Sequence, residues 1–175
     1  MCVKSTKSCD THSNPQRKKG ETMRRSEREI TNWPELVDVL RRANTIRLGI
    51  KADSFPYVVP LSFGFEEAGG QIVIYFHCAK EGRKNTLLKN DNHVCVEASI
   101  FHKFTATATN PTTEYESVIG CGLAEIVQGE EAVKGLNLIC SHCGFPGHEF
   151  DHSALEHLLV YKIMLSSVSG KRNLR

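Results

Sequence analysis

Residues 75–84 read Tyr-Phe-His-Cys-Ala-Lys-Glu-Gly-Arg-Lys, and this stretch predicts the end of a β-strand, a short loop with a glycine, and the start of a helix over 81–90. The backbone N–H groups at the start of a helix bind phosphate groups, and neighbouring cations strengthen that binding. Three cations stand in this stretch: Lys80, Arg83 and Lys84. The pattern therefore predicts either an anion-binding joint or an ordinary strand-to-helix connection with a solvated basic face.

Around this joint, the alternation of apolar residues predicts six strands, over 45–51, 57–65, 71–77, 93–100, 115–127 and 159–168. Pro60 lies within the second of them and indicates an edge strand or a bulge. A helix is predicted to follow Asn32 as its N-cap, and another is predicted over 130–140, whereas 102–114 is predicted as a loop. Short connections favour antiparallel pairing, so we expect a mainly β fold with helices outside a small barrel-like sheet.

Length and composition predict one globular domain. The chain has 175 residues, of which 40% are hydrophobic and 24% are charged, and this balance excludes mainly disordered, collagen-like and coiled-coil proteins. No apolar run approaches the roughly 20 residues that cross a bilayer, and the N-terminus has no apolar region typical of a secretory signal peptide. The chain has seven cysteines, an odd number that cannot all pair in disulfides within one chain. Together these features predict reduced thiols in the cytoplasm and no membrane partner.

The positive charge is concentrated at the N-terminus. Residues 1–28 hold eight Lys or Arg and three acids, whereas the whole chain has a formal net charge of only +2. Residues 1–27 also lack periodic apolar positions, so we predict a flexible basic tail there and a folded domain over 28–175. A nucleic-acid binder carries its positive charge on the folded surface more often than in a tail, and we expect no nucleic-acid partner.

Five segments, taken in order, resemble one known family. They are 47–50, 56–65, 75–84, 115–126 and 169–172. Together they resemble the pyridoxamine 5′-phosphate oxidase-like, FMN-binding split-barrel proteins, in the branch of the nitroimidazole-resistance proteins. The resemblance implies a six-stranded split barrel with peripheral helices and a homodimer with FMN in each of two interface clefts. It also implies an oxidoreductase that moves electrons from NADH or NADPH to a small-molecule substrate such as a nitro compound.

The resemblance also implies which residues contact the flavin. Six residues match positions beside the flavin ring and ribityl chain: Arg47, Leu48, Val59, Pro60, Leu61 and Ser62. Five more match positions beside the ring edge and the phosphate: Phe76, His77, Cys78, Ala79 and Lys84. His77 is the candidate catalytic residue, since it matches a histidine that would position a substrate or donate a proton to a reduced nitro group. A structural histidine is the alternative for this position. Cys78 departs from the family pattern, which has a small hydroxyl residue or glycine there more often.

A second motif keeps other functions open. Cys140, Cys143, His148 and His152 have a C-x2-C-x4-H-x3-H spacing that can close a tetrahedral zinc site. Gly144 and Gly147 resemble those of a zinc knuckle, although the knuckle's last cysteine is missing. His148, His152 and His157 could instead form a haem or metal face. We expect no metal, and the alternatives to the oxidoreductase are a non-catalytic FMN or haem binder and a zinc-binding interaction module.

Overall fold

The computed structural model describes residues 23–148, 150 and 152–175, without the side chains of His152 and Ala154. One antiparallel sheet contains β1 (Glu29–Ile30), β2 (Ile46–Ile50), β3 (Tyr57–Leu61), β4 (Gly64–Ala68), β5 (Gln71–Ala79), β6 (His93–Ala106), β7 (Pro111–Val127) and β8 (Leu158–Asn173). The helices are α1 (Trp33–Arg42), α2 (Arg83–Asn90) and α3 (Gly129–His142), with 3-10 turns at Ser26–Arg28 and His152–Glu156. The predicted mainly β fold is confirmed.

The order of the strands shows how the sheet curls. Its path is β3-β2-β6-β7-β8-β5-β4, with β1 paired to β8, so β3 and β4 are the two edges. Only Ser62 and Phe63 separate these two edge strands in the chain. The edges must therefore converge at this link, although no strand pairing closes the sheet. The result is a barrel that is split along one side.

All six predicted strands are present, β8 extends five residues further, to Asn173, and the short β1 was not predicted. Two further differences concern the edges of the barrel and the loop predicted over 102–114. The strand predicted over 57–65 is broken at Ser62 and Phe63 into β3 and β4, because the chain changes from one edge of the sheet to the other. Much of the loop predicted over 102–114 is strand instead. There β6 and β7 continue to pair as far as Ala106 and Pro111, since threonines and Phe104 find cross-strand partners that outweigh the local turn-forming composition.

Local signals in the sequence set several boundaries correctly. The side chain of Asn32 accepts a hydrogen bond of 3.2 Å from the Glu35 N–H and caps α1. Pro60 lies in the edge strand β3, where a residue without an N–H is tolerated. Gly69 and Gly70 both have positive φ angles, of 61° and 79°, as the two-residue turn between β4 and β5 requires.

The core fills the inside of the curled sheet. Side chains of α1, such as Leu36 and Leu40, pack there against Ile46, Leu48 and Phe76, and all of these are fully buried. A second cluster lies under α3 around Tyr75 and Leu136. The helices therefore cover parts of the barrel and leave the outer face of β2, β6, β7 and β8 to solvent.

The predicted N-terminal tail lies almost wholly outside the described residues, which begin at Met23. The boundary expected between residues 27 and 28 falls inside the 3-10 turn Ser26–Arg28. Among the described residues, no helix has both the length and the apolar character needed to cross a bilayer.

Candidate functional site

The split in the barrel lies beside the second half of β5. Pairing between β4 and β5 ends at Tyr75, so 76–79 has β8 on one side and no paired strand on the other. Helix α2 follows directly and reaches across to the opposite edge of the split. The Arg83 guanidinium lies over the Tyr57 ring of β3, at 4.9 Å from its centroid. The contact joins the start of β3 to the β5–α2 joint across the split.

The joint is held together by Asn85, a buried side chain that makes three hydrogen bonds. Its Nδ2 donates to the Ala79 carbonyl oxygen at 2.6 Å. Its Oδ1 accepts from the Cys78 thiol at 3.1 Å and from the Tyr161 hydroxyl at 3.1 Å. Buried polar groups are costly unless they are paired, and these three bonds satisfy the amide while fixing the first turn of α2 to the end of β5.

The start of α2 is open to a ligand. Gly82 is the N-cap, with φ 127°, and no side chain of the described residues caps the helix. A Cβ atom at this position would meet nothing within 4 Å. The first N–H groups of an α-helix have no partner within the helix, and they carry the positive end of its dipole. An anion can therefore approach this turn closely.

Lys84 adds a cation to the same turn. Its side chain is half-buried, with Nζ 5.5 Å from the centroid of the Phe76 ring. Burial lowers the pKa of Lys84 below its ordinary value of 10.5. Within the described part of the chain, no carboxylate lies within salt-bridge distance of Lys84, and the same holds for Lys80 and Arg83. Other lysines of the fold are paired, for example Lys134 with Glu66 at 2.6 Å. Glu81 is the one acid within 80–84, so the three cations leave this turn with a net positive charge.

His77 and Cys78 differ in what they offer to a ligand. His77 is exposed, yet partial desolvation and the neighbouring Lys84 charge lower its pKa below 6.5, so its imidazole is mostly neutral at neutral pH. The Cys78 thiol instead donates to Asn85, and burial raises its pKa, so it is a protonated structural group. Cys78 therefore lacks the hydroxyl that the family pattern has at this position, and its thiol supports the joint by bonding to Asn85 instead.

The other predicted residues divide between two faces. Leu48 is fully buried, and Val59 and Leu61 pack against the core, while Phe76 stacks on Tyr161 with ring centroids 5.0 Å apart. Buried side chains of this kind can support a ligand site from below, and their strands can offer it only backbone atoms. By contrast, Arg47, Pro60 and Ser62 lie on the exposed face. Arg47 is paired there with Glu97 at 2.9 Å and with the Ser99 hydroxyl at 3.2 Å.

The sequence motif for zinc is only partly described. Cys140 lies in α3 and Cys143 is its C-cap, while the His148 ring packs on Phe150 with centroids 4.7 Å apart. The side chain of His152 lies outside the described residues, so its position in the motif is untested. Among the residues whose side chains are described, no group of three or more His, Cys, Asp or Glu is placed to hold a metal ion.

Sequence reasoning missed three residues of this site. Asn85 bonds the first turn of α2 to the end of β5. The Tyr57 ring lies under the Arg83 guanidinium, and the Tyr161 ring stacks on Phe76. Asn85 had one usable signal, since a polar amide in the first turn of a short helix directly after a buried strand is well placed to bond that strand. The other two contacts join residues distant in the chain, and no local pattern predicts them.

Comparisons with known proteins identify the family. A family profile described as pyridoxamine 5′-phosphate oxidase matches residues 32–172. The chain therefore belongs to this family, and the resemblance seen in the sequence is confirmed. A search of the curated proteins found no match.

Solved structures agree with this assignment. A candidate 5-nitroimidazole antibiotic resistance protein from Bacteroides thetaiotaomicron is 26% identical, covers 82% of this chain and 85% of its own, and has a TM-score of 0.73. The flavocytochrome Anf3 from Azotobacter vinelandii shares the fold at 19% identity, with coverage of 88% and 73% and a TM-score of 0.69. An FAD- and haem-binding protein from Mycobacterium smegmatis does so at 16% identity, with coverage of 85% and 74% and a TM-score of 0.70.

Proposed function

We propose that this protein binds FMN and is a flavin-dependent oxidoreductase acting on a small-molecule acceptor. The observation that carries the proposal is the half-buried Lys84 at the open start of α2, which has no carboxylate partner among the described residues. A cation that is desolvated and has no internal counter-charge is costly unless an anion joins it. The phosphate of FMN is such an anion, and family membership supports a flavin as its source.

The residues of the joint suit a flavin phosphate. Two kinds of donor belong to this joint, namely the N–H groups at the first turn of α2 and the Lys84 ammonium group. Phosphate prefers this combination of fixed N–H donors and cations. Arg83 and Lys80 add charge nearby, although Arg83 also rests on Tyr57 and is partly committed to closing the split.

The isoalloxazine ring would lie along β2 and β3. Pro60 and Ser62 on the exposed face offer a small apolar wall and a hydroxyl, while Arg47 offers a guanidinium group already paired with Glu97. Flavin sites need mostly apolar walls with a few polar groups that orient the ring. Leu48, Val59 and Leu61 would support the backbone of these strands from inside the barrel.

A second copy of the chain would complete the cleft as a homodimer. Along the outer face of the sheet, Val58, Ile119, Leu123 and Met164 are each between 41% and 58% exposed. Cross-strand pairing puts Leu123 beside Met164 and Gly49 beside Val58, so these side chains share one face. An apolar face of this kind is typical of an interface between proteins, and a barrel this small offers only a groove without one.

His77 is the residue we propose to act on the substrate. Bound FMN would supply a carrier of two electrons between a nicotinamide donor and an acceptor such as a nitro compound. The neutral imidazole of His77 can donate a hydrogen bond from a ring N–H to an acceptor oxygen and thereby orient it. The second copy would exclude water from the cleft, which strengthens that hydrogen bond.

FAD and haem are the alternatives that the structural neighbours favour. Among the solved neighbours are an FAD-binding protein from Mesorhizobium loti and the FAD- and haem-binding protein from Mycobacterium smegmatis. FAD would also present phosphate to Lys84, but it needs room for an adenosine group beyond the joint. A haem would need an exposed axial ligand, and His157 is exposed.

The test compares ligands on the purified full-length chain. The bound small molecule is released by denaturation and identified by mass spectrometry, and the ligand-free protein is then titrated with FMN, FAD and riboflavin. We expect FMN to bind more tightly than riboflavin, which lacks the phosphate, and than FAD. FMN-loaded protein should then reduce a nitro compound with NADH or NADPH. Failure to bind any flavin would overturn the proposal, and FMN binding without turnover would reduce it to a flavin-binding protein.

A further inference from the structure

Two cysteines face each other on the outer face of the sheet, away from the β5–α2 joint. Cys95 of β6 and Cys121 of β7 are direct partners in the antiparallel register. Both side chains are exposed, and both line a cavity of about 1040 Å³. They lie in a cross-strand row of small residues, with Gly49 next to Cys95 and Ser167 next to Cys121.

The register places the two sulfur atoms within reach of each other. Directly opposite residues in antiparallel strands have Cα atoms about 4.5–5.5 Å apart, and disulfides span Cα separations of about 4.4–6.8 Å. A bond between these residues therefore needs no separation or slip of the strands. Partial desolvation and the neighbouring Cys121 thiol raise the pKa of Cys95 to about 11.

The surroundings leave room for the bond to form. Gly49 has no side chain, and even a Cβ atom there would be 3.8 Å from the Cβ of Cys95. On the other side of β7, the pairing with β8 shifts register between Cys121 and Gly122. Such an irregularity increases local twist and lets the strand adjust.

We propose that Cys95 and Cys121 form an oxidative modification site, at which a hydroperoxide converts the two thiols into an intramolecular disulfide between β6 and β7. One sulfur attacks the peroxide O–O bond, becomes a sulfenic acid and releases the second oxygen as water or an alcohol. The other sulfur then attacks the sulfenic sulfur, the S–S bond forms, and the sulfenic oxygen leaves as water with the thiol proton. Two thiols are oxidised by two electrons, and one peroxide is reduced.

The other described cysteines are placed differently. Cys78 is committed to Asn85 within the β5–α2 joint, and Cys140 and Cys143 lie at the end of α3. The proposed site does not depend on flavin binding. It lies on the face that we assign to a second copy, and in the single chain both thiols are open to a small peroxide.

Trypsin separates the two residues and so gives a sharp test. Cleavage after lysine puts Cys95 alone in peptide 90–103 and Cys121 alone in peptide 104–134, while Cys140 and Cys143 share peptide 135–162. The full-length protein, reduced and then treated with hydrogen peroxide, is denatured, alkylated and digested without reductant. We expect the two single-cysteine peptides to be joined in one species that lacks two hydrogen atoms, and dithiothreitol to restore both.

Matched variants identify the partners. Cys95→Ser and Cys121→Ser should each abolish the joined species, whereas the double variant Cys140→Ser with Cys143→Ser should retain it. Homodimers of either peptide, seen with a covalent dimer of the chain on a non-reducing gel, would overturn the intramolecular pairing. Recovery of both cysteines as free thiols or as sulfinic acids, with no joined species, would overturn the site altogether.

Discussion

The Asn85 side chain donates a hydrogen bond of 2.6 Å to the Ala79 carbonyl oxygen, and this bond ties the first turn of α2 to the end of β5. The same amide accepts from Cys78 and Tyr161, so its removal leaves several buried polar groups without partners. We therefore expect Asn85→Ala to lower the free energy of unfolding by about 1–3 kcal/mol. Urea denaturation measures this change. Asn90→Ala, at the exposed end of the same helix, should change it little, and equal stability of the two variants would show that the clamp is unimportant.

The proposed dimer can be tested on the outer face of the sheet. Leu123 is 41% exposed and lies beside Met164 across the strands. A charge placed there would have to be desolvated in an interface, so Leu123→Glu should shift the protein from dimer to monomer in sedimentation velocity. Phe145→Glu is the control, since Phe145 is an exposed apolar residue on the loop after α3. A wild-type monomer, or a dimer that withstands Leu123→Glu, would contradict the proposed interface.

Much of the fold could be predicted from the sequence, because periodic burial and turn chemistry are local. The alternation in β5, the Asn32 cap and the Gly69–Gly70 turn each depend on a few neighbouring residues. The break between β3 and β4 could not be predicted, because nothing at Ser62 and Phe63 indicates that the chain passes from one edge of the sheet to the other. Among the site residues, Lys84 followed from its motif, whereas Tyr57 depends on a contact made only after the barrel curls.

His77 should affect turnover more than cofactor affinity. Its ring is neutral near neutral pH and, in the proposed site, contacts the acceptor more than the phosphate. We expect His77→Asn to lower kcat for reduction of a nitro compound by about 10²-fold, the loss typical of one displaced hydrogen-bond donor to a reacting oxygen, with FMN affinity nearly unchanged. The control is His157→Asn, at an exposed position. Normal turnover in His77→Asn would assign this histidine a structural role.

FMN affinity should change with pH both in the acidic and in the alkaline range. Affinity should rise as pH increases through about 6, where a phosphate monoester becomes dianionic. It should fall at alkaline pH as Lys84 loses its proton, and this fall should begin below 10.5 because burial lowers the pKa of Lys84. Flavin fluorescence quenching between about pH 5 and pH 10 measures the profile. Lys84→Ala should lack the alkaline fall, and an identical profile in both proteins would assign that fall to another group.

The most direct test of the central claim is FMN titration of Lys84→Ala beside Lys89→Ala. Both lysines lie on α2, but Lys89 is exposed in its last turn and far along the helix from Gly82. We predict that Lys84→Ala weakens FMN binding by about 1.5–3 kcal/mol, or about 10–150-fold, and leaves riboflavin binding unchanged. Lys89→Ala should bind both ligands as the wild type does. Unchanged FMN affinity in Lys84→Ala, or an equal loss for riboflavin, would contradict the claim that this turn holds the phosphate.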